Sequence, residues 1–175
     1  MATQTRAELN GAAGLNRERT NIVTRCCAAT QDDGDFVFHY SDASFCNGGF
    51  RSQLRWRIYR RKHSLKIQGR NLLHMLRTEF AEWLPKLSYI KVDAEGYDRA
   101  ILASIMPILR EYRPVIRTEV FRKLVASERY ALFDLLDGAG YLVYRYREDD
   151  LRLGETLKRE DMVRAKHFDV LAVAG

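Results

Sequence analysis

From Leu87 onward the chain alternates short β-rich runs with stretches of helical periodicity, and that alternation narrows its fold more than any other feature. Leu87–Asp93 (LSYIKVD) reads as a strand. A helix follows with Ile101, Leu102, Ile105 and Leu109 on one face, and Pro107 is expected to kink it. Pro114–Val120 (PVIRTEV) is the next strand. Ser127 reads as an N-cap, opening a helix through Leu136 that stops at Gly138. Tyr141–Tyr146 and the closing Phe168–Val173 (FDVLAV) are strands. Strands separated by helices of this length predict an α/β fold with a mostly parallel sheet. The last two strands have only a charged excursion between them, Arg147–Lys166, so they are expected to pair antiparallel.

The first half is less regular. Residues 1–20 read as a polar lead-in helix, with Leu9, Ala12, Ala13 and Leu15 at weak helical spacing. Asn21–Ala29 is an apolar run that fits a buried strand, and Gln31–Gly34 is turn chemistry. Phe36–Tyr40 is β-rich, and Ser41–Gly49 reads as a loop. Leu54, Trp56 and Ile58 alternate with polar neighbours as in a half-buried strand, and Leu65 and Ile67 mark another. Asn71–Trp83 carries Leu72, Leu73, Leu76 and Phe80 at helical spacing.

Size and composition bound what this pattern can become. The 175 residues predict one domain spanning the chain, large enough to hold a core without disulfides or metal. Three cysteines, two of them adjacent (Cys26 and Cys27), do not make a disulfide framework. The longest apolar run, Ala100–Leu109, is about half the ~20 residues of a membrane span. The N-terminus has no signal-peptide core. A reducing, cytoplasmic setting without membrane association is therefore expected. The four histidines have no metal-ligand spacing, and hydrolase elbows and phosphate-binding Gly-Lys-Ser loops are missing from the sequence.

Chemistry concentrates at the strand ends. Asp93 and Glu95 lie at the carboxyl end of one strand and Glu119 near the end of the next. In open α/β sheets ligands bind beyond those ends. If the two strands are neighbours, three carboxylates converge there, with Lys91 on the same strand face as Asp93. Such a cluster could orient a hydroxyl, accept its proton or hold a divalent cation. The alternative is that Asp93 or Glu95 caps the following helix, that Gly96 is a turn position, and that Glu119 is a surface charge.

Ile90-Lys-Val-Asp-Ala-Glu-Gly96, followed by Tyr97-Asp98 and an apolar helix, resembles the signature of the FkbM-type methyltransferases. That family pairs a Lys-x-Asp-x-Glu-Gly strand end with a strand reading Arg-Pro-x-x-x-x-Glu. Here the second is Arg113-Pro-Val-Ile-Arg-Thr-Glu119. Leu132–Tyr141, the closing FDVLAV and Asn16–Ala29 are similar to further elements of the family, so the resemblance covers roughly residues 10–175. It implies a Rossmann-like sheet, mostly parallel with an antiparallel last strand, that binds S-adenosylmethionine and methylates a hydroxyl of a sugar or secondary-metabolite-like acceptor. Carried over by position, Asp93, Glu95 and Glu119 would serve catalysis, with Asp93 and Glu95 beside the acceptor and Glu119 closing the substrate side. Ala28, Ala29, Asp93 and Gly96 would bind the cofactor, the two alanines near its adenine. No metal is implied.

Two departures qualify the resemblance. The family's first strand ends in Asp-x-Gly-x-x-x-Gly, which presents the cofactor carboxylate to a helix N-terminus. Its second ends in an acid that grips the ribose. Neither pattern occurs here, and Gly11-Ala-Ala-Gly14 does not replace the first. The family's Asp in the helix before the signature strand is also missing, where this chain reads Asn71-Leu-Leu-His-Met75. The chain is thus expected to begin just after the family's second strand, roughly 50 residues into its domain, counting at least the ~30 of a βαβ unit. A different class is suggested by Arg51–Arg70, which holds eight Lys or Arg and no acid around Trp56 and Tyr59. A basic stretch with aromatics suits nucleic acid or another polyanion, although most such runs are simply solvated faces. The net charge of +6 is therefore not spread evenly along the chain.

Overall fold

The computed structural model describes residues 22–40, 63–147 and 153–175, with the side chains of 38–40 and 63–65 set aside. The expected lead-in helix, the 41–49 loop, the strand around Trp56 and most of the basic stretch lie outside the described residues.

Among the described residues, seven strands form two sheets. The first holds β1 (Ala28–Thr30), β2 (Gly34–Tyr40) and β3 (His63–Asn71) in the order β1-β3-β2. β3 runs parallel to β1 and antiparallel to β2. The second holds β4 (Tyr89–Val92), β5 (Val115–Val120), β6 (Tyr141–Arg145) and β7 (Phe168–Ala174) in the order β4-β5-β7-β6. There β4 and β5 pair parallel, while β7 is antiparallel to both β5 and β6. The molecule is therefore α/β, as the alternation predicts, and the last strand is antiparallel. Both sheets are mixed, which corrects the expectation of a mostly parallel sheet. Connectivity explains the second sheet. The helix after β5 delivers β6 one position too far to pair with β5. β7 fills that gap and, returning from β6, must run against both neighbours.

Among the described residues, the α-helices are α1 (Leu72–Glu79), α2 (Asp98–Ser104), α3 (Met106–Tyr112) and α4 (Ala126–Asp137). The kink expected at Pro107 is a complete break at Ile105, and proline opens α3 where a missing N–H costs nothing. α4 begins before Ser127, which corrects the N-cap assignment. Val125 takes that position, and Glu128 Oε2 accepts from its N–H at 2.9 Å, satisfying an amide that the helix leaves open. The Asn21–Ala29 run is a strand only at its end, and Ile22 and Val23 are more than half exposed.

The core lies between one face of the four-stranded sheet and α2, α3 and α4. Ile116, Val120, Val170 and Ala172 on the strands meet Leu102, Ile108, Leu109, Leu132 and Leu136 on the helices. The opposite face carries Lys91, Arg117, Glu119, Tyr144, Asp169 and Leu171, none fully buried. Burial alternates along β5, with Ile116, Thr118 and Val120 inward and Val115, Arg117 and Glu119 outward, because one face packs and the other does not. The polar face ends at the carboxyl ends of β4 and β5.

Candidate functional site

Parallel neighbours end level with one another, and that fact builds the site. Val92 is paired with Thr118, so Asp93 and Glu119 continue their strands side by side. β7 runs the other way and brings Asp169 directly opposite Glu119. The carboxyl edge of the sheet therefore collects Asp93, Glu119 and Asp169, flanked by Lys91 and Arg117.

Each charge has a distinct environment. Lys91 Nζ holds Asp93 Oδ2 at 2.9 Å, and both are about half exposed. Arg117 reaches Asp169 Oδ2 at 2.7 Å and lies 3.9 Å over the Tyr146 ring. Glu119 is only 12% exposed, with Oε1 3.3 Å from His167 Nδ1. Its Oε2 is buried and has no hydrogen-bond partner among the described residues. Burial pushes the Glu119 carboxyl above the ordinary glutamate value. Nearby His167 counters that shift, and the negative charges of Asp93, Asp98 and Asp169 add to it.

The turn after β4 is held in an unusual conformation. Glu95 has φ 47° and Gly96 φ 99°, both left-handed. A Cβ on Gly96 would stand 3.1 Å from Leu124 Cδ2 and 3.3 Å from Phe121 Cδ1, so packing and dihedral together require glycine. The lock is Asp98, which the sequence reasoning passed over. Its side chain is buried at the start of α2. Oδ2 accepts from the N–H groups of Ala94 (3.3 Å) and Gly96 (3.1 Å). Oδ1 accepts from Thr118 Oγ1 (3.0 Å) and the Glu119 N–H (3.4 Å). One carboxylate thus ties the turn after β4 to the end of β5. Neither Asp93 nor Glu95 caps α2, whose N-cap Tyr97 makes no side-chain cap bond.

A second lock lies beyond β5. Arg129, 5% exposed, sends all five guanidinium N–H directions to backbone carbonyls. Nε meets Leu124 O, Nη1 meets Met162 O and Ala165 O, and Nη2 meets Phe121 O and Lys166 O, at 2.6–3.2 Å. It fixes the backbone on either side of the site: the loop leaving β5 and the segment that delivers His167. Sequence offered a signal here. Arg129 lies on the buried stripe with Leu132 and Leu136, and near the helix start, where a cation opposes the helix dipole. His167 carried no signal beyond its position before the last strand.

The residues expected at the cofactor are distributed over two sheets. Asp93 and Gly96 are at the four-stranded edge, while Ala28 and Ala29 are half-buried in β1. α2 connects the two sets, since it begins at the Gly96 turn and packs against β1 as well as β4. Glu95 lies on the same turn but is not among the charges acting on Glu119. Among the described residues, no three His, Cys, Asp or Glu side chains gather as a metal site. No helix there is long and apolar enough to cross a membrane. Of the basic stretch, the described Arg70 is engaged by Glu79 at 2.7 Å and by Asp33 at 3.3 Å.

No protein-family model matches this chain, and no similar curated protein or solved structure was found.

Proposed function

We propose that the chain is an S-adenosylmethionine-dependent O-methyltransferase domain acting on a hydroxyl of a sugar or secondary-metabolite-like acceptor. The observation that carries this reading is the carboxyl edge of β4 and β5. A left-handed Asp93–Gly96 turn is locked there by Asp98 beside a buried carboxylate, Glu119, one of whose oxygens has no donor. A buried acceptor without a donor is costly, and a ligand hydroxyl or ammonium would satisfy it. The antiparallel last strand agrees with the same reading.

The residues fit the cofactor's amino-acid end in their chemistry. Asp93 is an exposed carboxylate that can face an ammonium, and the Gly96 turn offers backbone at the start of α2. Gly96 contributes through its backbone and conformation, since a Cβ there would press on Phe121 and Leu124. Ala28 and Ala29, the small first residues of β1, are the ones the resemblance puts near the adenine. When bound, S-adenosylmethionine supplies an electrophilic methyl group. The chain's own residues bind and orient: Asp93 and Glu119 set the polar edge, and Asp98 holds both strand ends at a fixed separation. Orientation of this kind accounts for a large part of the barrier in two-substrate reactions.

Titration of S-adenosylmethionine into the full chain tests the proposal. Heat of binding and a raised unfolding temperature are expected, both weakened by Asp93→Asn. No heat and no thermal shift at millimolar ligand would refute it.

A further inference from the structure

We infer that His167 and Glu119 form a proton-accepting dyad, with His167 as the catalytic residue that takes the acceptor's hydroxyl proton and Glu119 as its positioning residue. This rests on the reading of the strand-end edge as the acceptor side, and it names the base that reading lacks.

The argument is geometric. His167 immediately precedes β7, and β7 is antiparallel, so its first residues stand at the carboxyl edge of β4 and β5. Ligands of open α/β sheets bind at that edge. Nδ1 of the imidazole is 3.3 Å from Glu119 Oε1, while the side chain is 53% exposed. A carboxylate on Nδ1 selects the tautomer with the proton on that nitrogen. The lone pair is then left on Nε2, the only ring nitrogen still available to a ligand. The dyad is also rigidly supplied. Arg129 holds the carbonyls of Ala165 and Lys166, the two residues before His167, at 2.7 and 2.6 Å. Asp98 Oδ1 accepts from the backbone N–H of Glu119 at 3.4 Å. Two separate buried ions therefore fix the two halves of one dyad.

Asp93 is less suited to the role. Lys91 engages its Oδ2, and it is half exposed. The groups facing the pair are few and known. Asp93, Asp98 and Asp169 act on Glu119 from β4, α2 and β7, and His167 faces it directly. In the step itself the proton leaves the hydroxyl for Nε2 and the O–H electron pair stays on oxygen. The imidazolium so formed lies against Glu119, whose charge stabilises it.

Two measurements on the full chain need no knowledge of the acceptor. The first is nitrogen NMR of the neutral His167 ring. Protonation on Nδ1 is expected, with a switch toward Nε2 protonation in Glu119→Ala. Protonation on Nε2 in the unsubstituted chain would overturn the dyad. The second is hydrolysis of p-nitrophenyl acetate, in which a water gives its proton to Nε2 as its oxygen attacks the acyl carbon and p-nitrophenolate leaves. His167→Gln is expected to abolish the histidine-dependent component of the rate, and Glu119→Ala to reduce it. His167 is half exposed, so that substitution leaves the core intact. Rates equal to those of the unsubstituted chain in both variants would overturn the proposal. Failure of S-adenosylmethionine to bind would instead remove the methyltransferase reading, and both measurements would still report on the dyad.

Discussion

Two regions at one end of the four-stranded sheet solve the problem of burying charge in opposite ways. At the turn after β4 and the loop after β5, Asp98 and Arg129 are almost wholly buried, and among the described residues their hydrogen bonds go to backbone groups and one hydroxyl. Asp98 is satisfied by three backbone N–H groups and one hydroxyl. Arg129 is satisfied by five carbonyls. At the neighbouring edge, Glu119 is nearly as buried, but one oxygen is without a donor and the other meets only an exposed imidazole. A buried ion whose hydrogen bonds are complete is architecture. One left incomplete, beside a solvent-exposed base, has capacity to spare for a ligand. The contrast predicts that the first region governs stability and the second governs chemistry.

The contrast breaks first at Arg129. Arg129→Met keeps most of the side chain's volume and removes every donor, leaving five carbonyls to find other partners. Hydrogen bonds to a charged group contribute more than neutral ones, so a loss of about 3–5 kcal/mol is expected, measured by urea unfolding. Asp98→Ala comes next, at about 2–4 kcal/mol, because two N–H groups of the turn and two donors on β5 lose their acceptor. Asp98→Asn sharpens the point. One amide can accept on only one of its two ends, so it should recover at most half of that loss. If either buried ion can be removed without cost, the division between the two regions fails.

A smaller effect is expected within the turn. Gly96→Ala adds a Cβ at φ 99° and 3.1 Å from Leu124 Cδ2. Strain at such a position costs about 1–2 kcal/mol. Glu95→Gly, at φ 47°, should act in the other direction by relaxing a non-glycine residue in the left-handed region. Equilibrium unfolding of the two variants against the parent gives both signs in one experiment.

Much of this fold was legible in the sequence, and the boundary of legibility is physical. Pro114–Val120 and Phe168–Val173 were readable as strands because short β-rich runs between helical stretches are a local signal. Spacing placed Asp93 and Glu119 at one edge because strand ends are also local. The antiparallel pairing of β6 with β7 was readable from the charged excursion between them, but the insertion of β7 between β5 and β6 was not, since it depends on where α4 sets β6 down relative to β5. Neither were the locks. Asp98 and Arg129 are recognisable by their partners, and the contacts to Thr118, Glu119, Met162, Ala165 and Lys166 join segments that sequence spacing does not relate. Ser127 misled for a related reason: a good capping residue marks a helix start only where the chain turns, and here Val125 with Glu128 serves. The Glu119–His167 contact joins a residue of β5 to the residue before β7, and the two are brought together only by the pairing of β5 with β7.

The finest test concerns Glu119 itself, where the stability effect is smallest and its sign is informative. Its carboxyl is raised in the native state, chiefly by burial, above the ordinary value of 4.5. Below that value both the folded and unfolded chains hold the proton, and the favourable contribution is fully present. As pH rises through 4.5 the unfolded chain releases the proton first, so unfolding is favoured and stability falls until the native group has ionised too. The parent chain should therefore lose stability relative to Glu119→Gln across that window and stay level above it. The parent-minus-variant difference in urea midpoint, followed from about pH 4 to about pH 8, reads this directly. Repeating the series in His167→Gln should enlarge the loss, because the imidazole's opposing pull on the carboxyl is gone. A difference that instead grew in the parent's favour with pH would mean that the Glu119 carboxylate is satisfied in the native state, and the edge would then be architecture like the locks beside it.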